Sequence, residues 1–346
     1  MFRRNFLMAA GGAAAAPAAG GRVRIALLGT QHVHAGGKLK ALLDSPDYEV
    51  AGVCEPDASL RRQRQGEAAY RGQRWLAEEE LLSDRSISVA AVETAVWDFM
   101  AFGRKVIAAG KHLHLEKPPT AKMAEFRELV EEARRKKLLL QTGYIWRFHA
   151  GFAAAMDAAR QGWLGDVYML RGTINTDIDD TSRAGVGRYA GGMMYELGCH
   201  MIDRVVDLWG RPKDVKSWLR HDTRTPDKLA DNTLAVLEYE KSLAVISTSA
   251  RMPGSSQHRS FELIGTEGAI VIQPIEPGTR MRVSMREARG PYRPGWQDIE
   301  MASQPRYVGD FRDLARAIKS GTPLKYSYDY ELVVEETVLR ASGEMS

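Results

Sequence analysis

Three short stretches of the chain combine reactive side chains with the punctuation that would hold them in place. The first is "HLHLEKPPT", residues 112–120, where an apolar run delivers Glu116 and Lys117 and Pro118 stops it. The residue before a proline is pushed into extended backbone, so Lys117 should sit in a fixed pose at a strand end. A lysine partly withdrawn from water beside another positive charge has its pKa lowered. It can then polarise a hydroxyl or exchange a proton with it. A salt bridge ending a strand is the competing reading.

The second stretch is "GGMMYELGCHMIDRVVDLWG", residues 191–210. Glu196 and His200 are four apart, His200 and Asp203 three apart, so all three fall on one face of a regular helix. A carboxylate one turn from a histidine fixes its tautomer and raises its basicity, which suits a general base. A buried histidine with its bonds satisfied is the plain alternative. Asp203 is expected to face the same space as His200 and to meet substrate.

The third is "RIALLGTQHVHAGGKLKALL", residues 24–43. An apolar strand runs into Gly29 and a helical pattern follows. A dinucleotide turn of the form G-x-G-x-x-G uses its first glycine for the bend, its second for backbone approach to pyrophosphate and its third for helix packing. Only the first is present. Gln31 and His34 occupy the other two positions, so Gln31, His32 and His34 are expected to offer side-chain donors where backbone would otherwise approach, with Gly29, Thr30, Gln31 and His32 at the cofactor. Glu55 ends the next apolar run, "EVAGVCEPD", 26 residues after Gly29. That is the place of the acid that bonds ribose hydroxyls; its charge repels a 2′-phosphate and favours NAD over NADP. A solvent-facing glutamate is the alternative there.

His32 with His34, and His112 with His114, are H-x-H pairs, and on a strand such residues share a face. Histidine is a common zinc ligand. No cysteine or carboxylate cluster completes a four-ligand set by local spacing, so no metal site is expected.

The elements that must position these residues are legible in the apolar pattern. From residue 22 to 142, short apolar runs (24–28, 49–54, 89–94, 113–115 and 138–142) alternate with amphipathic stretches. In the clearest of these, Met123, Phe126, Val130 and Ala133 share a face. Strands separated by helices imply a parallel sheet covered on both sides, with ligand at the carboxyl ends of the strands. From 143 to 346 strands follow one another directly, and "EYEKSLAV" and "IGTEGAIV" read as hairpins. The fold class is therefore α/β: an N-terminal Rossmann doubly wound domain, then a C-terminal α+β domain with an open, largely antiparallel sheet. One face of that sheet is expected to serve a partner subunit.

On these residues the chain resembles the Gfo/Idh/MocA group of oxidoreductases. The resemblance runs through "RIALLGT" with "GVCEPD", "AAGKHLHLEKPPT", "TGYIWRFHAGF", "GGMMYELGCHMID" and "FELIGTEGAIVI". It implies hydride transfer between a nicotinamide and a sugar or polyol carbon, and homo-oligomers formed through the C-terminal sheet. Matched residue by residue, the group's catalytic lysine falls on Lys117, its histidine on His200, and the acid four residues before it on Glu196. The glutamate preceding the lysine is Glu116, and Glu55 would meet the adenosine ribose. Thr94 sits where the third strand passes the nicotinamide, and Tyr144, Arg147 and His149 should face substrate. The chain departs from the group in its single-glycine turn, in Glu196 standing for an aspartate, and in lacking the usual Pro and His after the third strand.

The 346-residue chain is 44% hydrophobic and 27% charged, with a net charge of +4, values typical of a soluble globular protein. Its Lys and Arg form no stripe, which argues against nucleic acid. Cys54 and Cys199 read as buried thiols. Residues 1–21, with Arg3, Arg4, Phe6, Leu7 and an Ala-rich run, have the form of a twin-arginine signal, so a periplasmic or exported protein is expected. No segment has the length of a membrane span. Export favours a retained cofactor. That leaves a second enzymatic reading, an NAD-dependent glycosidase working through transient oxidation, and a third, a sugar- or metal-binding relative without nucleotide.

Overall fold

A computed structural model describes residues 21–302 and 304–345. The twin-arginine expectation concerns residues outside that range. The chain forms two compact units. The first runs through Leu115 and adds Glu128–Gln141 and Leu314–Leu324; the second holds Glu116–Arg127, Thr142–Asp313 and the chain from Lys325 onward.

The first unit alternates strand and helix as its apolar runs require. In chain order come β1 (Val23–Leu28), α1 (Ala35–Leu43), β2 (Tyr48–Cys54), α2 (Ala58–Gln65), α3 (Glu78–Ser83), β3 (Val89–Val92), α4 (Phe99–Ala108), β4 (His112–Leu115), α5 (Met123–Arg135) and β5 (Leu140–Thr142). The sheet order is β2-β1-β3-β4-β5, and the pairings of β1 with β2, of β1 with β3 and of β3 with β4 are parallel. Ile25, Leu27, Val89, Ala91, Leu113 and Leu115 are fully buried, as strands covered on both faces demand. On α5, Phe126, Leu129, Val130 and Ala133 are buried, while Met123 is half-buried. Asp57 starts α2 by accepting the Ser59 and Leu60 amides.

In the second unit α6 (Ala150–Arg160) precedes β6 (Val167–Thr173), α7 (Asp180–Val186) and α8 (Cys199–Trp209). Then follow β7 (Asp214–Arg220), β8 (Asn232–Glu238), β9 (Leu243–Ser249), β10 (Ser260–Gly265), β11 (Gly268–Ile272), β12 (Met281–Met285), β13 (Gly295–Ile299), α9 (Val308–Ser320), whose residues from Leu314 belong to the first unit, and α10 (Tyr328–Ala341). Their sheet has the order β13-β12-β11-β10-β6-β9-β8-β7. β6 and β9 pair in parallel and the other neighbours antiparallel. β8–β9 and β10–β11 are the two hairpins expected from sequence; β12 and β13 were not legible there.

Residues alternate across this sheet. Ala235, Leu237, Ala244, Ile246, Leu263 and Ile270 point to the helices and are fully buried. The opposite face carries Leu234, Val236, Val245 and Val271, each only half-buried, with Trp218 and Trp296 exposed. On β6, Gly172 admits α8: a Cβ there would stand 3.0 Å from Met201 Cγ. The helix that carries His200 therefore lies directly on the sheet.

Candidate active site

The order of the first unit's strands reverses between β1 and β3, and in such sheets the ligand crevice opens beyond the strand ends at that point. Gly29 follows β1, Glu55 follows β2 and Thr94 follows β3, so three of the expected cofactor residues flank the reversal. Gly29 has φ +89°, and a Cβ there would lie 2.5 Å from Thr94 Cγ2, so this position takes glycine alone. The Gly29 amide donates to Cys54 O at 2.7 Å. The Thr30 amide and hydroxyl donate to Glu55 Oε2 at 2.7 and 2.6 Å, and the Asp57 amide donates to Glu55 Oε1 at 3.0 Å. Glu55 is thus pinned at the end of β2 with its carboxylate kept as an acceptor. Gln31 is exposed and does not fill the turn, whereas His32 is buried. The His34 amide donates to His32 Nδ1 at 3.4 Å, and the two rings meet edge to face at 4.5 Å. A cradle that only glycine fits, at the reversal, with an acid on the second strand, fits a dinucleotide.

The second unit brings Lys117 and Glu196 together. Lys117 Nζ donates to Glu196 Oε1 at 2.9 Å and to the Glu196 carbonyl at 2.8 Å. Lys117 is 1% exposed. Burial pulls its pKa down, but the Glu196 carboxylate, with Cys199 and Glu116, outweighs burial and holds it above the ordinary lysine value. The lowering expected from sequence rests on burial beside another positive charge, and the Glu196 carboxylate works against it. Glu116 is fully buried, and its Oε2 accepts the Lys117 amide at 2.9 Å. The Lys117–Pro118 bond is cis.

Sequence spacing assigned Glu196 to His200; in the structure it bonds Lys117. The reason is local. Met194–Gly198 is a π-helical turn that leads into α8, so residues four apart no longer stack as they do in a regular helix. His200 sits on the first turn of α8, 3% exposed. Tyr144 stands edge-on to its ring at 5.9 Å, and Trp146 is tilted against it at 5.3 Å. Among the described residues, the buried Tyr144 hydroxyl, Trp146 Nε1 and Tyr195 hydroxyl have no hydrogen-bond partner in the protein. Burying such groups unpaired is unfavourable, so these atoms are suited to a polar ligand or water.

Arg147 and Asp203, expected at substrate, bond each other in the interior. Both are at most 2% exposed. Arg147 Nε and Nη2 donate to Asp203 Oδ1 at 3.0 and 2.9 Å, and its Nη1 and Nη2 donate to Glu331 at 2.6 and 2.7 Å. Arg204 Nη2 takes the other Asp203 oxygen at 2.6 Å. Burial would push the Asp203 carboxyl up, but the two guanidiniums hold it below its usual range. This network ties the segment after β5 to α8 and α10. Glu331 and Arg204 were not singled out from sequence, because a charged residue in a helix normally reads as solvated.

His149 is also otherwise engaged. Its Nδ1 accepts the Gly151 amide at 3.1 Å and caps α6, while Nε2 meets Thr279 Oγ1 at 3.1 Å. Burial holds the ring below the ordinary histidine pKa. It is a neutral pin between α6 and the 275–279 loop. The other H-x-H pair separates in function. His112 Nδ1 accepts the Leu139 amide at 2.9 Å, and burial pushes its pKa down to about 4. His114 bonds Lys38 and Gln141.

Sequence reasoning also missed Glu335 on α10. It is 1% exposed, and burial, reinforced by the charge of Glu331, pushes its carboxyl well above the ordinary value against a smaller pull from the Thr120 amide.

Comparison with known proteins follows the two units. The family description "Oxidoreductase family, NAD-binding Rossmann fold" matches residues 23–144, and "GFO/IDH/MocA C-terminal domain" matches residues 152–271. Together they cover more than half of the chain. Human trans-1,2-dihydrobenzene-1,2-diol dehydrogenase is 32% identical over 152 residues, 43% of this chain and 46% of its own length. The chain spans between 46% and 65% of the length of the curated relatives it matches. Among solved structures, GenD2 from gentamicin A biosynthesis, in complex with NAD, superposes with a TM-score of 0.76 at 21% identity over 93% of this chain and 94% of its own. UDP-N-acetylglucosamine 3-dehydrogenase GnnA from Acidithiobacillus ferrooxidans gives 0.76 at 17% identity over 94% and 98%. At these identities the structural likeness establishes the fold.

Proposed function

The chain belongs to the Gfo/Idh/MocA oxidoreductase family, and from that premise we propose that it is an NAD-dependent oxidoreductase acting on a hydroxyl-bearing carbon of a sugar or cyclitol. A bound nicotinamide supplies the hydride acceptor. The chain's own residues supply position and proton chemistry. Lys117, protonated and held by Glu196, stabilises the negative charge that develops on the substrate oxygen. His200 takes the hydroxyl proton on a ring nitrogen. The single observation that carries this reading is the ion pair between buried Lys117 and half-buried Glu196, which lies on the segment that leads into His200. The named relatives support a ring hydroxyl as the target, one acting on a dihydrodiol and another at a nucleotide-sugar carbon.

The test begins with purified protein. Heat-denatured protein should release a nicotinamide dinucleotide identifiable by mass, or the protein should bind added NADH. A panel of sugars and cyclitols should then give net NAD reduction. Failure to retain or bind any dinucleotide would overturn the reading. Bound dinucleotide without net redox would move it to transient-oxidation chemistry.

The same proposal includes export, supported by Arg3, Arg4, Phe6 and Leu7, and checked by Tat-dependent export of a reporter fused to residues 1–21. It also includes a homo-oligomer through the open sheet face, supported by Trp218 at 53% and Trp296 at 64% exposure. A Trp218→Glu variant that sediments like the wild type would remove that support. Among the described residues no helix is long and apolar enough to cross a membrane.

A further inference from the structure

Beneath the 29–34 turn the first unit buries a row of polar side chains that the proposed chemistry does not use. Lys38 on α1 is 1% exposed; Glu93, just after β3, and His114 on β4 are fully buried. Lys38 Nζ lies 2.7 Å from Glu93 Oε1 and 2.8 Å from His114 Nε2. An ammonium only donates. His114 Nε2 must therefore be the bare nitrogen, and Nδ1 carries the hydrogen that Gln141 Oε1 accepts at 2.9 Å. The bonds thus run in one sense, from Lys38 outward to Glu93 and, through His114, to Gln141.

Such a row is a poor source of stability. Replacing a buried ion pair with well-packed apolar side chains is often neutral or stabilising, and the strand that leads into Glu93, Val89–Val92, is wholly apolar. What the row holds is Glu93, and Glu93 holds the turn. The Glu93 amide donates to Leu28 O at 2.7 Å, and its carbonyl accepts the His32 amide at 3.0 Å. Its second carboxylate oxygen lies 3.6 Å from His32 Nδ1. Thr94, the next residue, is the one against which Gly29 packs. On the other side, Cys54 O and Glu55 hold the Gly29 and Thr30 amides. The turn is therefore clamped from both neighbouring strands.

We propose that Lys38, Glu93 and His114 form a positioning brace that presets the 29–34 turn for a dinucleotide's diphosphate, replacing with side-chain bonds the backbone shape that the absent second and third glycines would give. The brace rests on the reading that this unit binds a dinucleotide. None of its three residues need touch the cofactor. They act through the Glu93 backbone on His32 and Thr94.

The test compares NADH affinity, measured by calorimetric titration, with melting temperature measured without ligand. Glu93→Gln keeps shape and removes the charge. The triple variant Lys38→Met/Glu93→Leu/His114→Val makes the row apolar, and Lys40→Met removes a surface charge from the same helix as a control. We expect the triple variant to melt near or above the wild type and to bind NADH at least tenfold more weakly. Glu93→Gln should bind severalfold more weakly and Lys40→Met like wild type. If the triple variant folds and binds NADH within twofold of wild type, the brace is only structural and the proposal falls. If both Glu93 variants fail to fold, it also falls, because the row is then a stability element. A wild type that binds no dinucleotide would instead sink the functional reading on which the brace rests.

Discussion

Lys117 Nζ is held by both ends of one residue, 2.8 Å from the Glu196 carbonyl and 2.9 Å from its carboxylate. That carbonyl lies in the π-turn at Met194–Gly198 and also accepts the Cys199 thiol at 3.3 Å. The carboxylate grip decides the charge of the lysine, since burial alone would drive it toward the neutral amine.

Glu196→Gln should therefore free the lysine's pKa to fall. In the wild type, a rate that needs protonated Lys117 is lost only at high pH. In the variant, burial is no longer opposed by that carboxylate, and the alkaline limb of kcat should move to lower pH. An alkaline limb that stays in place would show that Glu196 does not set the charge of Lys117. Lys117→Met should lower kcat by about 10²–10⁴ at pH values below the wild type's alkaline limb, the usual contribution of a positioned proton-handling group.

Asp203→Asn leaves Arg147 and Arg204 buried with half their compensation gone. Removing one partner of a buried pair destabilises by about 3–5 kcal/mol. Asp203 is held below its usual pKa in the folded state, so its contribution is present above the unfolded carboxyl's pKa and is lost as pH falls through the folded one. The Tm gap between wild type and variant should narrow on acidification. A gap independent of pH would mean that the carboxylate charge is not what the guanidiniums use.

Glu335 carries the opposite sign. Its folded pKa is raised, so the folded protein binds a proton more tightly than the unfolded chain, and stability falls as pH rises above the unfolded value. Glu335→Gln mimics the neutral form. It should melt higher than wild type at about pH 8, and the two should converge at about pH 4, where the unfolded glutamate, with its ordinary value of about 4.3, is also largely protonated. A variant less stable than wild type at alkaline pH would show that Glu335 is ionised in place.

His149→Ala should lose a helix cap and the tie to Thr279, about 1 kcal/mol of stability, with kcat and KM for the eventual substrate unchanged. A large rise in KM with an unchanged Tm would return His149 to the substrate site.

The sequence by itself determined the plan of both units. Apolar runs such as 25–28 and 89–92 are dense enough to fix strands buried on both faces, and "EYEKSLAV" sets a hairpin, because these signals are local and each residue's environment repeats at a short period. It also picked out Gly29, Glu55, Lys117, Glu196 and His200 as groups worth placing. What each one bonds was decided only by tertiary structure. Glu196 was paired with His200 on the assumption of a regular helix, and the π-turn turned it to a lysine 79 positions away. Arg147 and Asp203 looked available for substrate, yet they meet each other and Glu331 across 56 and 184 residues of chain. Lys38 within α1 and Glu93 after β3 carried no local signal that set them apart. Their burial as an ion pair depends on α1 bringing Lys38 to Glu93 across 55 residues of chain, a contact that no local pattern encodes, since periodicity states which face of an element is apolar and is silent on which other element will cover it.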